Sequence, residues 1–476
     1  MKFTVQFFGA TNEVTGSCHL LTMGKQRILL DCGLIQGGRE DEARNREPFP
    51  FDPKTIDAVV LSHAHIDHSG RLPLLVKMGF NGTIYTHEAS HDLCQFMLKD
   101  SAFLSERDAE WKNKKRARKG RKLIEPIYTV EDVEMAMTHF KGLVYAKKKR
   151  ILPGVKLRLS DAGHILGSAI VELWLEFGGV KRKVVFSGDL GRPDMPVLRD
   201  PTPIRQADLV IMESTYGDRS HQSWKKTERE IRGVFNSATN GKGNILMPAF
   251  AVGRTQEILY LFAKYYKEWG LKRWHIFLDS PMAIEATQVF ARHSELFDAE
   301  TAALWKRHKK NSLLPNLHIS RTTDQSMAIN TIRKGAIIIA GSGMCSGGRI
   351  RHHLGHNISS KKNQLVITGF QARGTPGRAL VDGAKSIRLQ GKNVRVASRI
   401  HTIGGLSAHA DQPGLIKWYA NFKGRPPVAL VHGEPPAIEN LSRQLQKQLS
   451  ARVHIAESGG VLDLNNPENS IVSKRK

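Results

Sequence analysis

Apolar and polar residues alternate with a period of two through residues 2–35, in the runs KFTVQFFG, CHLLTM and RILLDCG, with turns near Gly16 and Gly24. That pattern predicts three short strands of a β-meander, the third ending at Asp31. The continuous apolar run Ala58 to Leu61 predicts a buried strand over Asp57 to Ser62. Helical spacing follows from Leu72 to Met78 and again from Glu88 to Lys99. Alternation returns in VKLRLSDAGHILGSAIVELWLEF, which reads as two strands about the turn DAGHILGS, and KVVFSGDLG and ADLVIMESTYG follow as further apolar strands. Asp189 and Glu213 each stand at the end of one of them.

Between about Gly217 and Val396 the pattern changes to an α/β unit. Ile231, Val234, Phe235 and Ala238 recur at helical spacing before the strand NILMPAF, and Ile258, Leu259, Phe262, Tyr265, Tyr266 and Trp269 recur after it. The short apolar runs HIFLDS, AIIIAGSG and QLVITGF suit strands of a parallel sheet covered on both faces. The chain then returns to strand and loop through ASRIHTIGGLSAHADQ and PVALVHGEP, and closes with a helix from Ala437 to Leu449 and the strand RVHIAES.

A chain of 476 residues is too long for one ordinary core, so two domains are expected, with or without an insertion. Lys and Arg number 71 against 45 Asp and Glu, a net charge of +26. That surplus implies a polyanionic partner, and the lack of an amphipathic or lipidated anchor favours nucleic acid over a membrane surface. The densest run, Lys112 to Lys122, holds eight basic residues in eleven and no acid. Such runs are usually a solvated helix face or a loop; the alternative is contact to RNA or DNA phosphates, without sequence specificity. Four cysteines without a CxxC pair suit a reducing compartment. MKFTVQFFGA resembles no export signal and no run approaches the length of a membrane span, so a cytoplasmic protein is expected.

The chemistry concentrates in VLSHAHIDHSG, Val60 to Gly70, which sets His63, His65, Asp67 and His68 at the mouth of the buried strand. In an extended or tightly looped segment His63 and His65 project to one side and can meet one ion, while Asp67 and His68 can address a second. Imidazole with carboxylate suits a borderline ion such as zinc, and the missing cysteine argues against a closed structural site. His164 sits in a turn from which it can reach inward as a third imidazole. Three glycine-containing turns, PAFAVGRTQE with Arg254, AGSGMCSGGR with Ser342 and Arg349, and TGFQARGTPGR with Arg373 and Arg378, compare with phosphate cradles, although ordinary turn chemistry explains each. His352, His353 and His356 lack an accompanying acid or cysteine and are read as packing or phosphate-contact residues, and His401 as structural.

The run HAHIDH resembles the HxHxDH signature of the metallo-β-lactamase fold. The later stretches resemble its nucleic-acid-processing branch, the β-CASP nucleases, and within it the bacterial and archaeal relatives of the cleavage and polyadenylation endonuclease subunit. The resemblance implies an α/β fold, a metallo-β-lactamase αββα sandwich split by an inserted β-CASP domain, with residues 1–217 and 397–476 forming the sandwich and 218–396 the insertion. It implies two Zn2+ ions, one held by His63, His65 and His164 and the other by Asp67, His68 and His432, with Asp189 bridging them. Asp31 then supports the histidine loop without binding metal. Glu213 begins the β-CASP signature and orients His409, the general acid for the leaving 3′ oxygen.

The activity so implied is a zinc-dependent endoribonuclease leaving 5′-phosphate and 3′-hydroxyl ends. RNA is preferred to DNA because DNA-processing members typically carry Val where this chain has His432. The Arg and Ser of the glycine turns become candidate RNA phosphate contacts, since in the family the β-CASP domain clamps RNA against the metal site. A homodimer or a recruiting protein is expected to help bring the substrate. The rival readings are a 5′ exoribonuclease of the same family, a small-molecule thioester or lactam hydrolase, and a catalytically silent RNA-binding subunit.

Overall fold

The computed structural model describes residues 3–241, 243–308, 314–369, 371 and 374–466. They divide into two compact units. The described residues within Met1–Pro193, Asp200–Ser220 and His409–Lys476 form the first, and those within Asp194–Arg199 and His221–Ala408 form the second.

The first unit is built on two seven-stranded sheets. One runs, in spatial order, Val461–Asp463, Phe3–Gly9, Cys18–Met23, Gln26–Leu30, Ala58–Val60, Thr83–His87 and Phe140–Leu143. The other runs Val453–Ile455, Val428–Val431, Leu209–Glu213, Val180–Phe186, Ala169–Phe177, Val155–Asp161 and Lys149–Leu152. The period-two pattern turns one side of each strand inward: Phe3, Val5 and Phe7 are buried while the residues between them are partly exposed. These side chains meet Leu157, Leu159, Val171, Leu173 and Phe186 of the other sheet in one apolar core. The opposite face of the second sheet, with Ile170, Val185, Val210 and Leu430, is covered by Leu415, Trp418 and Tyr419 of the helix Gln412–Tyr419 and by Ile438, Leu441 and Leu445 of the helix Pro435–Leu449. The helix Glu88–Ala117 packs on the first sheet at Thr83–His87 and Phe140–Leu143. Helix, sheet, sheet and helix layers result.

That last helix runs far beyond the Lys99 expected from its apolar spacing and carries half of the basic run. Lys, Arg, Ala and Asn all tolerate a helix, and the chain turns only at Gly120, whose φ is +59°. In the second unit the helix that begins at Arg254 ends at Lys264, short of the aromatic pattern that continues to Trp269. Tyr265 and Trp269 still serve the core, because Trp269 stacks on Phe235 from the turn after the helix.

The second unit holds a six-stranded sheet in the order Leu317–Ile319, His275–Leu278, Ala336–Ala340, Ile245–Pro248, Gln364–Ile367 and Arg399–Thr402, every pair parallel. The strands Ala336–Ala340, Ile245–Pro248 and Gln364–Ile367 are continuously buried, as strands covered on both faces require, while the edge strands Leu317–Ile319 and Arg399–Thr402 are partly exposed. Arg399–Thr402 joins this sheet, and the chain returns to the first compact unit at His409. Among the described residues no helix is long and apolar enough to cross a membrane.

Candidate metal centre

The strands Gln26–Leu30 and Ala58–Val60 run parallel, as do Val180–Phe186, Leu209–Glu213 and Val428–Val431. Their carboxyl ends deliver Asp31, His63, Asp189, Glu213 and His432, while the turn after Val155–Asp161 delivers His164. Asp31 and His432 adopt φ values of +58° and +52°, a left-handed backbone that non-glycine residues rarely hold, immediately after their strands. Gly33 and Gly191 allow the loops to close together. A Cβ at Gly33 would lie 1.6 Å from the Asp67 carbonyl oxygen, and one at Gly191 would lie 1.9 Å from the carbonyl oxygen of Gly163, beside His164.

One cluster joins His63, His65, His164 and Asp189. His65 Nδ1 lies 3.2 Å from both His63 Nε2 and His164 Nε2, and Asp189 Oδ2 lies 3.5 and 3.6 Å from the same two Nε2 atoms. Burial, helped by the charge on His68, holds the His63 pKa well below its ordinary value, and burial pushes His65 down to about 4. Both are therefore neutral imidazoles with lone pairs to give.

A second cluster joins Asp67, His68 and His432. The two Nε2 atoms of His68 and His432 are 3.1 Å apart, and Asp67 Oδ2 is 3.6 Å from His432 Nε2. Asp189 reaches this group as well, with Oδ2 3.3 Å from His68 and Oδ1 3.6 Å from His432. Asp31 sits behind it: Oδ2 is 2.7 Å from His68 Nδ1 and accepts from Ser17 and Ser62, while Oδ1 accepts the Ser62 amide. Thr215 Oγ1, 3.1 Å from His432 Nδ1, backs the other imidazole. Burial opposes charge on His68, yet Asp189 and Asp31 outweigh it and raise its pKa well above the ordinary value. A cation entering here displaces that proton.

His409 lies beside both clusters. Its Nδ1 is 3.2 Å from each oxygen of Glu213 and its ring is 4.5 Å from that of His164, centroid to centroid. Glu213 is fully buried and also accepts the amides of Leu190 and Thr215. Burial works against a charged His409, but the Glu213 and Asp189 carboxylates prevail and lift its pKa to about 9.

The donor set fits a metal. Lone-pair nitrogens and a carboxylate converge from four loops, and Asp189 Oδ1 is buried without a hydrogen-bond partner, which a cation would supply. Imidazole with carboxylate is a zinc-type set. The profile described as "Metallo-beta-lactamase superfamily" matches residues 11–154, "Beta-Casp domain" matches 255–380, and "Zn-dependent metallo-hydrolase RNA specificity domain" matches 393–456. The chain is 40% identical over 438 residues to "Ribonuclease TTHA0252" of Thermus thermophilus, spanning 92% of this chain and 95% of that one. This protein is a β-CASP member of the metallo-β-lactamase superfamily. It is 30% identical to "Transcription termination factor FttA" of Methanocaldococcus jannaschii over 90% of this chain and 67% of that one. A crystal structure of a protein of unknown function from Enterococcus faecalis V583 shares the fold, with a TM-score of 0.55 at 14% identity over 97% of this chain and 100% of that one. Family membership makes the chain a metal-dependent hydrolase, with a β-CASP domain inserted into the metallo-β-lactamase domain.

The glycine turns of the β-CASP unit fare differently from the histidine loop. Arg254 is buried and folds back onto Glu257. Arg349 donates to Asp279, 2.7 Å away, and to the carbonyls of Ser320 and Arg321, while Asp279 also meets His353 Nε2 at 2.6 Å. Internal acids thus engage the guanidinium groups of both Arg254 and Arg349. Ser342 Oγ accepts the Gly347 amide, and Cys345 and Ile350 donate theirs to Ser342 and Gly341, so this loop largely bonds itself. Arg378 is exposed and paired with Asp382 at 2.9 Å. Arg373 lies outside the described residues. Ser17, Ser62 and Thr215 went unread in the sequence, because a hydroxyl beside a strand end looks like ordinary turn chemistry.

Proposed function

We propose that this protein is a ribonuclease, and specifically an endoribonuclease that hydrolyses RNA phosphodiester bonds to 5′-phosphate and 3′-hydroxyl ends with two zinc ions. The observation that carries the reading is the pairing of two adjacent histidine and carboxylate clusters with a histidine held by a buried acid. The similarity to a protein named a ribonuclease, together with the net charge of +26, supports RNA as the substrate.

His63, His65 and His164 would hold one ion, Asp67, His68 and His432 the other, with Asp189 shared. Bound there, the ions supply Lewis acidity, lowering the pKa of a water toward ~7 and stabilising charge at the phosphoryl group. Asp31 and Thr215 orient the imidazoles of His68 and His432 so that lone pairs face inward. Glu213 holds His409 through Nδ1, which leaves Nε2 to give its proton to the departing 3′ oxygen.

The test is incubation of the zinc-loaded protein with a structured RNA labelled at its 5′ end, beside His409→Ala, Asp189→Ala and a matched DNA. Discrete internal products from RNA alone are expected. His409→Ala should keep its metal and lose cleavage by about 10²–10⁴-fold, whereas Asp189→Ala should lose metal too. Release of mononucleotides would replace the endonuclease reading with a 5′ exonuclease. A fully active His409→Ala protein would remove the acid role.

A further inference from the structure

The helix Glu88–Ala117 buries side chains as far as Ala109, and from Glu110 to Ile127 none is buried. The projecting part is not loose. Asn113 exchanges two hydrogen bonds with Ile124, at 2.8 and 2.9 Å, and Arg116 Nε donates to the Lys122 carbonyl at 2.6 Å, tying the returning irregular segment to the helix. Phe103 and Trp111 stand 49% and 56% exposed, and Leu104 and Leu123 are each 58% exposed.

Phe103, Arg107, Trp111 and Lys115 follow one another at four-residue steps along one face. Arg107 lies over the Phe103 ring, 5.5 Å from its centroid, and Lys115 lies over Trp111 at 3.8 Å. The two rings are eight residues apart, about 12 Å along the axis. Lys114 and Arg118 fall on the same face by the helical repeat. Among the described residues, Lys112 is the one of the eight basic residues from Lys112 to Lys122 that forms an ion pair, with Asp108 at 2.5 Å.

We propose that this arm is a docking platform for single-stranded RNA, with Phe103 and Trp111 stacking on bases and Lys114, Lys115 and Arg118 neutralising phosphates. The ribonuclease reading enters only in the choice of RNA as the polyanion. Uncompensated cations call for a polyanion, and exposed rings among them call for one that offers flat faces. A duplex hides its base faces in the stack. A helix built for a membrane separates its apolar and basic faces, whereas here rings and cations alternate on one face.

The experiment measures binding of an unstructured 5′-labelled RNA to the full zinc-loaded chain carrying His409→Ala, by fluorescence anisotropy across salt concentrations. Phe103→Ala with Trp111→Ala should weaken binding by about tenfold per ring, and Trp111→Tyr should restore most of the loss. Lys114→Gln with Lys115→Gln and Arg118→Gln should lower the salt slope by about 2. Duplex RNA should show the charge effect and not the ring effect. With His409 intact, the ring variants should raise KM on a long RNA and leave kcat unchanged. Unchanged RNA affinity in both variant sets overturns the platform, even if the protein cleaves RNA and the arm then holds a protein partner. A ring effect as large on duplex overturns the stacking role. Arm-dependent RNA binding without any cleavage keeps the platform and defeats the ribonuclease reading instead.

Discussion

One carboxylate sets the second cluster. Asp31 accepts from Ser17, from Ser62 twice and faces His68 Nδ1, so with an ion bound as proposed it would keep the remaining proton on Nδ1 and leave Nε2 for that ion. Asp31→Asn keeps the shape and removes the charge, and metal affinity should fall by about 10–100-fold; chelator competition reading the same affinity as the unaltered chain would contradict this. His409 carries the complementary prediction. Its folded pKa is raised to about 9, so its charge adds stability that is complete below the ordinary value near 6.5 and is lost as pH rises through about 9. In the metal-free protein the ring resonances of His409 should show the charged form through pH 8, and Glu213→Gln should bring the titration down. A midpoint near 6.5 in the unaltered protein would sink the argument. At this scale the imidazoles and acids are legible in the sequence because few other uses explain four such residues in six positions. Ser17 and Thr215 are not, since their roles exist only once distant strand ends meet.

Strand ends, rather than any single loop, assemble the centre, and that assembly depends on close approach at glycine. The period-two and continuous apolar runs made most of the strands legible, since each needs only local information. Which strands lie side by side is a matter of long-range register. The arginines of the inserted unit show the cost: each follows a strand and a glycine as a phosphate loop does, but Arg349 meets Asp279, seventy residues away in sequence. Gly33 can be tested directly. A methyl there would sit 1.6 Å from the Asp67 carbonyl oxygen, so the Asp67 and His68 backbone must move. Gly33→Ala should stay folded by circular dichroism and lose metal affinity and cleavage by roughly tenfold or more, as expected when ligands to a metal are displaced. Gly233, with open space around its Cβ position, is the control; in its helix Gly233→Ala should add stability of about 1 kcal/mol and leave metal binding alone.

At the scale of the molecule the described residues form two compact units, the first with apolar clusters on both faces of its second sheet and the second with one around a parallel sheet. The strand Arg399–Thr402 illustrates what a sequence cannot reveal here: its short pattern suits either sheet, and only its pairing with Gln364–Ile367 assigns it to the second unit. Every residue of the proposed metal centre, from His63 to His432, lies in the first unit. A ligand that binds a folded state stabilises it by mass action, about 2.7 kcal/mol at a hundred times the dissociation constant for one site. For a unit of this size that shifts the melting temperature by roughly 5–10 °C. Calorimetry of the full chain should therefore show two transitions, of which only one moves when zinc is added after chelation, and Asp189→Ala should abolish that shift without touching the other transition. If both transitions move together, the stability given by metal is shared between the units, and their separate folding is disproved.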